Sequence, residues 1–181
     1  QEIMNLDNKL NFLKTHSSFC NINGNSFSNS ENTSVFIYIV RDPRNVILSM
    51  SNHFGISQEE SFKIITNEKY IVYPMDRDQT LPSSLVSSWK NHYLSWKNFH
   101  AVSNIFIKYE DLIQNTKESF IKIVNFLKEH VDIENNKKKI INSIDSTNFQ
   151  NLKKYEEKHG FNMGQTNKFF HLAEKNDWRK L

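Results

Sequence analysis

One cysteine, Cys20, stands in a chain of 181 residues. That excludes an intrachain disulfide framework and any zinc site built on several thiolates, and it suits a reducing compartment. Glycine is almost as scarce, four in all, so no Walker-type or dinucleotide-type phosphate loop can be written anywhere. No run approaches the roughly 20 apolar residues of a membrane span, and no basic-apolar-small leader opens the chain. A cytoplasmic protein without a membrane segment in this chain is the expectation. Arginine and alanine are rare, four and two, beside 19 lysines and 24 asparagines. The net charge of +3 therefore reflects a Lys/Asn habit. The positive charges gather on no single predicted face, which argues against a nucleic-acid partner.

What is present is enough to make a core. Apolar residues are 38% and aromatics 13%, with 14 phenylalanines, too many for a disordered chain. The length suits one domain over residues 1–181, burying roughly two-thirds of the surface its unfolded chain exposes. The chain opens on Gln1, not Met, and reads as an internal piece of a longer protein.

Three apolar runs read as strands: a short one from Leu10 to Thr15, a continuous one from Val35 to Val40, and Ile105 to Ile107. The second, apolar on both faces, belongs in the middle of a covered parallel sheet. Asn21 to Thr33 is a polar loop. Asp42-Pro43 reads as an N-cap and first helical residue. Ser57 with Glu60 forms a capping box, and Asn115 with Glu118 a looser one. Leu85, Trp89, His92, Trp96 and Phe99 recur at helical spacing. Strands alternating with helices predict an α/β layered domain, a parallel sheet flanked by helices.

In such sheets ligands bind beyond the carboxyl ends of the strands. The three strands end in Lys14-Thr15-His16, in Arg41 before a helix start, and in Tyr109-Glu110-Asp111. Together they describe a site for an anionic ligand with a base beside it. A guanidinium offers paired donors to phosphate, although Arg41 serves equally well as an ion-pair partner of Asp42 or Asp111. Ser49, two turns into the helix, is by pattern an ordinary helix serine. His16 has the chemistry of a general base, while lone histidines are more often structural. His92 reads as a satisfied core histidine, Trp89 and Trp96 as core, Lys137 to Lys139 as a solvated face. Cys20 shows no sign of activation. His53, His100, His130 and His159 have no acidic or histidine partner at ligand spacing, so no metal is expected.

The strand and helix from Val35 to Ser49 closely resemble the 3′-phosphate-binding element of the sulfotransferase family, an apolar strand followed by Arg-Asp-Pro-Arg-Asn-Val and a serine eight residues after the first arginine. Five further segments follow the family's order: Lys14-Thr15-His16, Ser88-Trp89-Lys90-Asn91-His92 with Trp96, Tyr109-Glu110-Asp111-Leu112, Thr147-Asn148-Phe149, and Phe169-Phe170 through Asp177-Trp178. The resemblance covers essentially the whole chain. It implies a P-loop-like α/β fold and 3′-phosphoadenosine 5′-phosphosulfate (PAPS) as co-substrate, without a metal. It also implies sulfuryl transfer to a hydroxyl or amine of a small-molecule or glycan acceptor. His16 would then be the base and Lys14 would hold acceptor or sulfonate charge. Arg41 and Ser49 would grip the 3′-phosphate, helped by the helix start, and Tyr109, Thr147 and Phe149 would frame the adenine.

Two departures bear on that reading. The family's first signature, a Pro-Lys-Ser-Gly-Thr-Thr type loop for the 5′-phosphosulfate, is missing, and is expected upstream of Gln1; the fragment alone should be inactive. His171-Leu172-Ala173 stands where the family has Arg-Lys-Gly, which removes a guanidinium and a glycine: either Lys175 or Arg179 substitutes, or donor affinity is reduced, or the protein has left catalysis behind. The alternatives are a nucleotide-binding module or pseudoenzyme that keeps the 3′-phosphate pocket, and a phosphotransferase of related architecture. The segment Tyr70 to Pro82 is expected to cover the acceptor mouth.

Overall fold

A computed structural model describes residues 11–73, 83–133, 136–160, 170 and 178–180. Leu10, residues 74–82 of the expected acceptor cover, His171-Leu172-Ala173 and Lys175 lie outside these residues. The centre is a pair of parallel strands, Val35–Val40 and Ser103–Lys108. In order along the chain, the strands are β1 (Asn21–Ile22), β2 (Asn25–Ser26), β3 (Val35–Val40), β4 (Ile71–Val72), β5 (Ser84–Leu85) and β6 (Ser103–Lys108). The helices are α1 (Pro43–Phe54), α2 (Gln58–Thr66), α3 (Trp89–Lys97), α4 (Tyr109–Gln114), α5 (Thr116–His130), α6 (Lys137–Ser146) and α7 (Phe149–His159). A 3-10 turn at Trp178–Lys180 lies against α1. The class is α/β, a parallel sheet with flanking helices.

Local chemistry explains the helix starts. The Asp42 side chain accepts from the Arg44 N–H at 2.9 Å, with Pro43 supplying a first-turn residue that has no N–H to satisfy. Helix α1 ends at Gly55, whose φ of 65° is left-handed and suits a residue without Cβ. Ser57 and Glu60 form the reciprocal capping box at α2. Asn115 does precede α5, but its side chain makes no capping bond, so the second box is not built.

Side-chain alternation turns Phe36 and Tyr38 to one side of β3, where Trp96 and Tyr93 of α3 meet them, and Phe19, from the segment before β1, packs on Trp96 in turn. Phe36 packs on Trp96 with ring centres 5.0 Å apart, and Tyr38 on Phe106 at 5.0 Å. Phe19 stacks on Phe99 at 4.0 Å. Such pairs add about 0.5–1.5 kcal/mol each beyond the area they bury. Among the described residues Phe36, Leu48, Trp96, Ile107 and Leu127 are the buried apolar ones, and α5 packs against both β3 and β6.

Three expectations need correction. Residues 11–15 form no strand: Phe12 and Leu13 are exposed, and the chain just beyond bonds instead to the β5 backbone and to α3. A short apolar run is ambiguous by pattern alone, and a strand needs a hydrogen-bonded neighbour, which this run lacks among the described residues. The polar loop after Cys20 contains a small hairpin, β1 with β2, turning through Asn23 (φ 52°) and Gly24 (φ 83°). Asn-Gly is the dipeptide that fits two successive left-handed residues. Finally, β3 has one hydrogen-bonded neighbour among the described residues, and its Ile39 is 54% exposed.

Candidate active site

Register builds the first half of the site. Val40 lies opposite Lys108 in the parallel pair, so the next residues, Arg41 and Tyr109, leave the sheet side by side. The Arg41 guanidinium carbon stands 4.4 Å from the Tyr109 ring centre, within cation–π reach. One residue further, the Asp42 N–H donates to Glu110 Oε1 at 3.1 Å, and Asn45 Nδ2 reaches the same oxygen at 3.4 Å. A carboxylate here also suits the positive end of the α1 dipole.

Arg41 is not the ion-pair partner of Asp42. That carboxylate is taken by Arg44, at 2.6 Å between Nη2 and Oδ2, and the contact holds the Asp42 carboxyl below its ordinary value. Arg44 stacks in turn on Trp178 at 3.6 Å. Arg41 keeps its Nε buried with no hydrogen-bond partner among the described residues. Buried donors are nearly always satisfied, so this one fits an absent acceptor. The N–H groups of Asp42 and Arg44 are already used and Pro43 has none. The guanidinium, more than the helix start, is the free donor here.

Ser49 lies half-buried on α1, one turn beyond the buried Asn45. Thr147 is exposed at the end of α6 and its hydroxyl donates to the Ser143 carbonyl at 2.6 Å. Phe149 opens α7 and meets Phe170 edge-on at 6.1 Å. The partners seen for these two lie in the α6–α7 corner and at Phe170. Arg179 is described and exposed, its charge felt by Arg44.

Helix α3 builds the second half. Trp89 Nε1 donates to the Arg41 carbonyl at 3.1 Å, and His92, one turn on, approaches the His16 carbonyl at 3.2 Å through Nε2. The helix thus brackets both segments. His92 Nδ1 meets the Tyr38 hydroxyl at 2.7 Å, so both ring nitrogens are partnered, as a satisfied core histidine requires. Trp96 Nε1 donates to the Ser17 carbonyl at 3.0 Å. His16 faces a cleft of about 560 Å³ that Lys14, Cys20, Ile22, Phe27 and Leu85 also line. The ring is pushed below its ordinary pKa by partial desolvation and then by the Lys14 ammonium. It is therefore neutral at pH 7, the form that accepts a proton.

Spacing alone marked Trp89 as core, Glu110 was marked only as one carboxylate of a strand end, and nothing local marked Tyr38 or Cys20 as site residues. Trp89 touches the arginine exit, Glu110 fastens α1, and Cys20 lines the cleft. Their signal lay in the pairing register and in the packing of α3, which no single segment displays.

The fold is an α/β protein with its polar groups collected beyond the carboxyl ends of parallel strands. The chain matches the sulfotransferase domain over residues 2–181 and belongs to that family. Among solved structures, it is similar to the mouse sulfotransferase SULT7A1 complexed with PAP, with 24% sequence identity and a TM-score of 0.48, covering 66% of this chain. The chain spans 40% of the length of that protein. Comparison with curated proteins gives no match. Among the described residues no helix is long and apolar enough to cross a membrane.

Proposed function

We propose that this chain is the part of a PAPS-dependent sulfotransferase domain that binds the 3′-phosphate and carries the base, acting on a hydroxyl or amine of a small-molecule or glycan acceptor. The observation that supports it most is the buried, unpartnered Arg41 Nε beside Tyr109 at the strand exits. A guanidinium already stacked on a ring is preorganised for a phosphate oxygen, so less side-chain freedom is lost on binding. Arg41 and Ser49 hold the 3′-phosphate, and Tyr109, Thr147 and Phe149 surround the adenine.

His16 acts as general base. As the acceptor oxygen attacks sulfur, its proton passes to the neutral imidazole and the new O–S bond forms. The bond from sulfur to the bridging phosphate oxygen breaks, and 3′-phosphoadenosine 5′-phosphate (PAP) departs with that electron pair. Charge spreads over the sulfuryl oxygens, where positioned cations lower the barrier. Lys14 supplies one beside the cleft, holding acceptor or sulfonate charge.

The deciding experiment measures transfer of labelled sulfate from PAPS by the full-length protein and by its His16→Ala variant. The loss of a general base is expected to slow transfer by roughly a hundredfold to ten-thousandfold, with PAP affinity unchanged. Equal rates remove His16 from the chemistry. PAP binding without any turnover in the wild type points to the nucleotide-binding module instead.

A further inference from the structure

The segment that carries His16 has neither helix nor strand to hold it: residues 11–20 form no regular structure. Its placement falls to the Leu85 carbonyl of β5, which accepts from both the N–H and the hydroxyl of Ser18 at 2.8 Å, and to side chains of α3. Trp96 grips the Ser17 carbonyl at 3.0 Å, and Ser95 Oγ accepts from the Phe19 N–H at 2.9 Å. On residue 16 itself the contact is His92, from Nε2 to the carbonyl oxygen. We infer that His92 and Tyr38 are positioning residues for His16: His92 pins the His16 main chain through an Nε2–H donor, and Tyr38 holds His92 in the tautomer able to donate. The inference rests on the reading of His16 as the base.

The chemistry of the three groups fixes the direction of the bonds. A carbonyl oxygen only accepts, so Nε2 must carry the hydrogen. In a neutral imidazole Nδ1 is then a lone pair and accepts from the Tyr38 hydroxyl at 2.7 Å. Burial, then the charge of nearby Tyr93, pushes the Tyr38 phenol up to about 12, so it remains a donor at any physiological pH. Burial is also the leading cause that draws His92 below its ordinary value, which keeps the ring neutral. Tyr38 belongs to β3, and Arg41 is the first residue past the end of that strand. The sheet that delivers the guanidinium therefore also anchors the base, through one phenol and one imidazole.

Ring-nitrogen and carbonyl NMR of the isotope-labelled chain tests this without a known acceptor. Wild-type His92 is expected in the neutral Nε2–H form. His92→Leu should shift the carbonyl and ring-nitrogen resonances of His16. His92→Gln, whose amide nitrogen replaces Nε2 as a donor, should return them to the wild-type positions. Tyr38→Phe, which deletes one oxygen and serves if the leucine variant does not fold, should let His92 populate the Nδ1–H tautomer and move the His16 carbonyl resonance. An Nδ1–H tautomer in the wild type, or His16 resonances indifferent to these changes, overturns the inference. Failure of His16 as the base is read separately, in the His16→Ala transfer assay.

Discussion

The guanidinium of Arg41 lies 4.4 Å from the ring centre of Tyr109, and the two residues come from segments 68 positions apart in sequence. Parallel pairing of β3 with β6 makes them neighbours, since each is the first residue past a matched strand end. The contact leaves the Nε donor buried, with no hydrogen-bond partner among the described residues. Such a donor costs stability in the free protein and gains a partner when an anion arrives.

Arg41→Ala is therefore expected to weaken PAP binding by tenfold or more, about 1.4 kcal/mol or greater. Arg41→Lys should recover only part of this, because an ammonium lacks the planar fork. Tyr109→Phe, which keeps the ring, should bind as the wild type does. Calorimetric titration with PAP reads all three, and unchanged affinity in Arg41→Ala would place the phosphate elsewhere.

Stability should fall as pH drops through the histidine range. His16 and His92 both sit below their ordinary value of 6.5, so near that pH the unfolded chain binds protons that the folded chain refuses. The stability contributed is whole above about 6.5 and declines as pH falls toward the folded values, below which it levels out. Thermal midpoints across this range test it. His92→Gln should flatten the profile, and a midpoint that climbs on acidification contradicts the assignment.

Asp42 both caps α1 and pairs with Arg44. Asp42→Ala is expected to cost about 1 kcal/mol in urea unfolding, the usual worth of such a cap, and Asp42→Asn less, since an amide still caps. The carboxyl lies below its ordinary 3.8, so its contribution is complete above that pH and lost only as acid protonates the folded form. An alanine variant as stable as the wild type would mean the cap carries no net energy.

Cys20 is the single thiol and lines the cleft beside His16. Modification by N-ethylmaleimide should abolish sulfuryl transfer by the full-length protein, provided no further cysteine reacts, while PAP binding stays intact. Transfer retained after modification would separate the cleft from the acceptor.

Much of the frame was legible from local pattern. Val35 to Val40 had to be a strand because its β-branched and aromatic run is too short and too bulky for a buried helix. Asp42-Pro43 started α1, and Ser57 with Glu60 started α2, because a cap needs only its own turn. Residues 11–15 misled because apolar spacing says nothing of where backbone donors will find partners. Asn115 misled because a capping box depends on dihedrals as well as residue types.

By itself the sequence determined which chemistry was on offer: a guanidinium at a strand end, an imidazole after Lys14-Thr15, a phenol before two carboxylates, and an ordered set of segments that marks one family. These follow from residue identity and short-range spacing. Only the tertiary structure decided which groups meet. The register of two strands set Arg41 on Tyr109 and left its Nε without a partner among the described residues. The docking of α3 tied the carbonyls of Arg41 and His16 to Trp89 and His92. Contacts between residues tens of positions apart depend on how whole elements pack, and no local pattern contains that information.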